Sequence, residues 1–124
     1  SGIPAAVAAA LAVQDIFEKE NTFNKVKEIS PYFQEALHSL KDLECVENIR
    51  GYGLLGGVDI KKKDKKDKPG KAGFQVYKSC YKNGVNLKAT GDALVLAPPF
   101  ISEKKHIDEI FDKIRKSINQ YMKQ

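Results

Sequence analysis

The sequence predicts an α+β fold, with helices laid over one face of a small, mostly antiparallel sheet. Three observations carry this. Apolar residues recur at helical spacing in several stretches. Between the helical stretches lie two pairs of short extended runs, and each pair is joined by a glycine-containing turn. The resulting order is α-α-β-β-α-β-β-α, with strands close enough in sequence to form hairpins.

The first helical stretch begins at Pro4, which suits a first turn because its missing N–H has no intrahelical partner there. The alanine-rich run to about Glu20 has high helix propensity and is apolar nearly all round until Asp15. Such a helix is expected to bury itself against a surface larger than this domain offers. A second helix is predicted from Asn21 or Thr22 to about Leu43, with Val26, Ile29, Phe33, Leu37 and Leu40 on one stripe. Pro31 falls inside it, so a kink or a restart at Ser30 is expected.

"CVENIRGYGLLGGVDI" reads as two strands, about residues 45–50 and 53–60, turning at Gly51 and Gly53. It is not a phosphate loop, because no Gly-Lys-Ser/Thr end and no following helix are present. "KKKDKKDKPGKAG" reads as a solvated loop. A third helix is predicted over about residues 73–83, with Phe74, Tyr77 and Tyr81 spaced at three and four and Gly84 as its stop. Strands at 85–88 and 93–97 follow, joined at Thr90-Gly91-Asp92 and ended by Pro98 and Pro99. Ser102-Glu103 opens the last helix, whose buried stripe is Ile107, Ile110, Phe111, Ile114, Ile118 and Tyr121.

At 124 residues, with 42% hydrophobic and 30% charged, the chain has the size and balance of one globular domain with its own core. The net charge of +5 raises the question of nucleic acid. Only Arg50 and Arg115 are arginine, and the lysine-rich loop has no interleaved aromatics, so nucleic acid is not expected as a partner. Cys45 and Cys80 form no disulfide framework and no Cys-x-x-Cys pair, which points to a reducing, cytoplasmic setting. No apolar stretch approaches the ~20 residues that span a bilayer, so no membrane is expected. The apolar opening lacks the charged leader of a signal peptide. With Ser1 rather than Met at its start, the chain reads as a processed or excised piece.

Catalytic chemistry is hard to find in these residues. His38 and His106 are isolated, with no nucleophile or second ligand at a useful spacing. No paired carboxylates sit in an apolar setting, and dinucleotide signatures are missing.

Several stretches nevertheless resemble a family. "SGIPAAVAAALAVQDIFEKE" is similar to the Ser-Gly-His-Pro opening of the C-terminal part of class III (omega) aminotransferases. "SPYFQEALHSLKDLECVENIRGYGLLGGVDI" resembles the helix and Arg-Gly-x-Gly-Leu hairpin that follow it. "KPGKAGFQVYKSCYKNGVNLKATGDALVLAPPFISEKKHIDEIF" resembles the family's terminal helix, Gly-Asp turn and Pro-Pro ending. Within the family, the omega-amino acid (beta-alanine)–pyruvate aminotransferases look nearest.

The resemblance implies the C-terminal small domain of the type I pyridoxal-phosphate transferase fold. Residues 1–20 would be a helix linking to a large domain, and 21–124 the small domain itself. The implied activity is transfer of an amino group from an omega-amino acid or amine to pyruvate or a similar keto acid. Pyridoxal 5′-phosphate would be the cofactor, a homodimer the assembly, and the large domain of the same chain the main partner. Lys88 stands where the omega branch usually has the arginine that binds the substrate carboxylate. Ser1 and Gly2 would lie near the neighbouring subunit's cofactor phosphate, with Ile3 replacing the family's histidine beside them. None of the lysines matches the motif of the cofactor lysine, so the isolated chain is expected to be inactive. A stand-alone interaction domain descended from an aminotransferase is the alternative, and a basic nucleic-acid module a weaker one.

Overall fold

A computed structural model describes residues 5–99 and 102–124, with side chains from Lys19 onward. Helix α1 spans Ala5–Ser39 without interruption and runs into a single 3-10 turn at Leu40–Asp42. The expected break at Asn21–Thr22 is therefore absent, and Pro31 neither restarts nor ends the helix. Position explains the tolerance. Val26, Ile29, Phe33, Leu37 and Leu40 face the core as the spacing predicts, whereas Pro31 lies on the exposed side, where a lost backbone bond is least costly. Ser30 one residue earlier donates its hydroxyl back to the carbonyl of Val26, the i−4 bond that hydroxyl residues make inside helices. The division at 20/21 thus falls inside a continuous helix.

Strand β1 (Val46–Tyr52) turns through Gly53 and Leu54 into β2 (Leu55–Ile60). After the lysine-rich loop come α2 (Lys71–Lys82), β3 (Lys88–Thr90), β4 (Ala93–Leu96) and α3 (Lys104–Lys123). The four strands form one sheet in the order β1-β2-β4-β3, and every pairing is antiparallel. Both hairpins turn on two residues. Gly53 (φ +59°) and Gly91 (φ +60°) hold the first central position, and the second central residue is not left-handed, the pattern of a type II′ turn.

Helix α2 starts two residues earlier than its periodicity predicts and ends at the expected glycine. Gly84 N–H donates to the carbonyl of Tyr81 (3.0 Å) and Val85 N–H to that of Cys80 (2.8 Å), the paired bonds of a Schellman motif.

Helices α1 and α2 pack on one face of the sheet, α3 packs against both of them, and together they close a core around Phe33, Leu37, Val58, Val76, Leu94, Ile107, Ile114 and Ile118. Phe33 and Phe111 meet across α1 and α3 at 5.5 Å between ring centroids. The predicted stripe of α3 is the buried one, and only Ile110 stands at its margin.

Candidate functional site

The second face of the sheet carries no element of the described chain. Its residues follow from register, because side chains alternate along a strand and align across the pairing. One row reads Arg50 (β1), Gly57 (β2), Val95 (β4) and Lys88 (β3). The next row reads Glu47, Asp59, Ala93 and Thr90. On the far side of the cationic row, Tyr52 (87% exposed) and Leu55 (53% exposed) face each other near the β1–β2 turn. The face is thus laid out as an apolar tip, a cationic row and an anionic row.

Lys88 is exposed on β3, an edge strand of three residues. So short a strand needs an anchor, and the turn that follows it provides one. The carboxylate of Asp92 accepts a hydrogen bond from Gly73 N–H (3.1 Å), in the first turn of α2. Gly70 at the N-cap has no side chain to do this, so Asp92 caps the helix from a distant turn. The carbonyl of Asp92 also accepts from Ile60 N–H (2.8 Å). The approach leaves no room for a side chain, since a Cβ on Gly73 would lie 2.5 Å from the carbonyl oxygen of Gly91. Gly91 and Asp92 therefore seat the hairpin, and with it Lys88, on the N-terminus of α2.

Arg50 reaches this face by a different route. Between Glu47 and Arg50 the ladder slips, so that Asn48 and Ile49 stand opposite the single residue Val58. Asn48 has φ +51°, the left-handed conformation of a bulge's first residue. Strict alternation would put Glu47 and Arg50 on opposite faces; the bulge puts both on the open one. The Arg50 side chain then lies across Gly57, with its Nε 3.3 Å from where a Cβ there would be. Its Nη1 donates to the carbonyl of Asn48 (2.7 Å) and pairs with Asp59 (3.1 Å), while Asn48 Nδ2 donates to the other oxygen of Asp59 (3.0 Å). This arrangement is missed by sequence reasoning, because a bulge has no period. Its one trace is an asparagine inside an otherwise apolar and charged strand.

The histidines have local roles. His38 Nδ1 meets the carbonyl of Gln34 at 2.8 Å, and His106 Nδ1 accepts from the Glu103 N–H (3.0 Å) at the start of α3. Cys45 and Cys80 are both buried, and burial pushes both thiols up, so neither is a ready nucleophile at neutral pH. In the lysine-rich loop, Lys63 donates to the carbonyl of Gln124 (2.8 Å) and sits over the Tyr121 ring, and Lys71 pairs with Asp67 (3.1 Å). Ser1, Gly2 and Ile3 lie outside the described residues. No described helix is long and apolar enough to cross a membrane.

Comparison with known proteins gives the family and the fold. The family described as class III aminotransferases matches residues 1–118, and the chain belongs to that family. It is 32% identical over 120 residues to an omega-aminotransferase of Caulobacter vibrioides, which covers 97% of this chain and 27% of the relative. It is 33% identical over 124 residues to the omega-amino acid–pyruvate aminotransferase of Pseudomonas putida, covering 98% and 27% respectively. A solved transaminase with L-alanine superposes with a TM-score of 0.81 at 26% identity, over 99% of this chain and 31% of that one. The omega transaminase of Pseudomonas jessenii in complex with PMP shares the fold, with a TM-score of 0.79 over 99% of this chain and 29% of that one, at 22% identity. The chain thus spans little more than a quarter of the length of the curated relatives it matches.

Proposed function

We propose that this chain is the C-terminal small domain of an aminotransferase that moves an amino group from an omega-amino acid or amine to pyruvate or a similar keto acid. Residues 1–20 link it to a large domain of the same polypeptide, and the working enzyme is a cytoplasmic homodimer. The observation that carries the reading is Lys88, exposed on a sheet face that no described element covers. The resemblance puts it where the omega branch usually has the arginine that binds the substrate carboxylate.

Pyridoxal 5′-phosphate, when bound, supplies the electron sink that the chemistry needs. The described residues do not fit as its holder. Every lysine is exposed or half-buried, and the N-terminus of α2 is already taken by the Asp92 carboxylate. We therefore assign cofactor binding to the large domain, with Ser1 and Gly2 beside the neighbouring subunit's cofactor phosphate.

The contribution of this chain is positional. The ammonium of Lys88 offers three donors and a point charge to one carboxylate. Asp92 and Gly73 keep the β3–β4 hairpin from shifting under that load. A lysine here holds a carboxylate with less directional control than the forked guanidinium of an arginine.

Steady-state kinetics of the full-length enzyme test the assignment. Lys88→Ala raises KM for the keto acid by about ten- to a hundredfold, the usual weight of a hydrogen bond to a charged group, while Lys88→Arg keeps or improves it. An unchanged KM in Lys88→Ala removes Lys88 from the site. The 124-residue chain alone shows no turnover; turnover of an amino donor by it would overturn the division of labour.

A further inference from the structure

We propose that Arg50 is a second anion-binding residue of the same site, and that it selects a keto acid carrying a second carboxylate over one with a single carboxylate. The inference rests on the reading that Lys88 fronts the substrate. What is new is the partner at the other end of its row.

Four features place Arg50 for this role. The bulge at Asn48–Ile49 turns its side chain onto the open face, and bulges beside functional sites commonly re-aim a side chain. Gly57 opposite it has no Cβ, which lets the guanidinium lie flat across β2 toward the centre of the sheet. Asp59 and the carbonyl of Asn48 hold it there through Nη1 alone, and its side chain remains 52% exposed. Lys88 closes the same row from the opposite edge, with Val95 between them.

The spacing suits two anionic groups rather than one. Neighbouring strands are about 4.8 Å apart, so a guanidinium over β2 lies about 10 Å from the backbone of β3. The flexible stem of Lys88 covers part of that gap. What remains is a bay floored by Gly57 and Val95 with a cation at each end, matched to the two ends of a short dicarboxylic keto acid. A single carboxylate engages one end only. The anionic row of Glu47 and Asp59 borders the bay and disfavours a dicarboxylate lying along the strands instead of across them on the cationic row.

An exposed ion pair contributes little to stability, so Arg50–Asp59 alone does not account for a left-handed asparagine kept beside it. A backbone irregularity that serves to aim a side chain does.

The test uses the full-length enzyme with pyruvate and 2-oxoglutarate as alternative acceptors. Arg50→Leu should raise KM for 2-oxoglutarate about ten- to a hundredfold and leave pyruvate within about twofold, with Arg50→Lys recovering part of the loss. Lys88→Ala should weaken both acceptors. Equal losses for both acceptors in Arg50→Leu would show a structural role, and no loss for either would place Arg50 outside the site; both results overturn the inference while leaving Lys88 standing. A wild-type enzyme that transfers an amino group to neither acceptor would overturn the underlying reading and this inference with it.

Discussion

The two hairpins of the sheet have the same turn and opposite ways of being held. Each reverses on two residues with glycine first, Gly53 in one and Gly91 in the other. The β1–β2 hairpin is long and bulged, and its tip is held by burial of Leu54 and by one flexible side chain: Gln34 Nε2 of α1 donates to the carbonyls of Gly53 (2.8 Å) and Leu55 (3.2 Å). The β3–β4 hairpin is half as long and is seated backbone-to-backbone on the first turn of α2. A long ladder supplies its own cooperativity, whereas a three-residue strand has too few bonds to fix its register and must take it from a neighbour. The residue proposed to meet substrate, Lys88, lies on the hairpin whose position is externally fixed.

Breaking that seat should have the largest effect. Gly73→Ala forces a methyl group against the Gly91 carbonyl, a backbone atom that cannot step aside, and is expected to destabilise the protein by about 2–3 kcal/mol in urea titrations followed by circular dichroism. A midpoint equal to wild type would mean the hairpin is not seated on α2.

Removing the cap is milder. Asp92→Ala should cost about 1–2 kcal/mol, and Asp92→Asn less than that because its amide oxygen can still accept from Gly73. In the full-length enzyme, Asp92→Ala should also raise KM for the keto acid through displacement of Lys88. A stability loss without any change in KM would separate the anchor from the site.

The opposite hairpin supplies the control. Gln34→Ala should cost about 1 kcal/mol, the net worth of an ordinary hydrogen bond, and leave KM unchanged. If Gln34→Ala shifts KM as much as Asp92→Ala, the contrast between the hairpins has no functional meaning. The smallest difference is expected between the turns themselves. Gly53→Ala and Gly91→Ala both place a Cβ at positive φ and should each lose about 1 kcal/mol, within a few tenths of one another.

Much of this architecture is legible in the residues. Helical and alternating periods locate α2, α3 and the four strands to within a few positions, because burial on one face imposes those periods directly, while α1 is divided in two. Glycine at the turns and at the end of α2 is legible for the same reason: only a residue without Cβ takes positive φ at low cost. The continuity of α1 through Pro31 was not legible, since local propensity speaks for a break and only the packed face of Ile29, Phe33 and Leu37 overrides it.

The sequence by itself determined the strands, α2 and α3, the buried stripes of α1 and α3 and the family, all of which rest on short-range pattern or on motifs read in order. In α2, by contrast, Phe74 and Tyr81 of the aromatic spacing are exposed, and Ala72, Val76 and Cys80 are buried instead. Tertiary structure alone decided what those elements bring together. It put Asp92 on the N-terminus of a helix that ends before β3 begins, and it set Arg50 and Lys88 at the two ends of one row although they lie far apart in the chain. Register and bulges arise from pairing between distant strands, and a single slipped residue moves a side chain from one face of a sheet to the other.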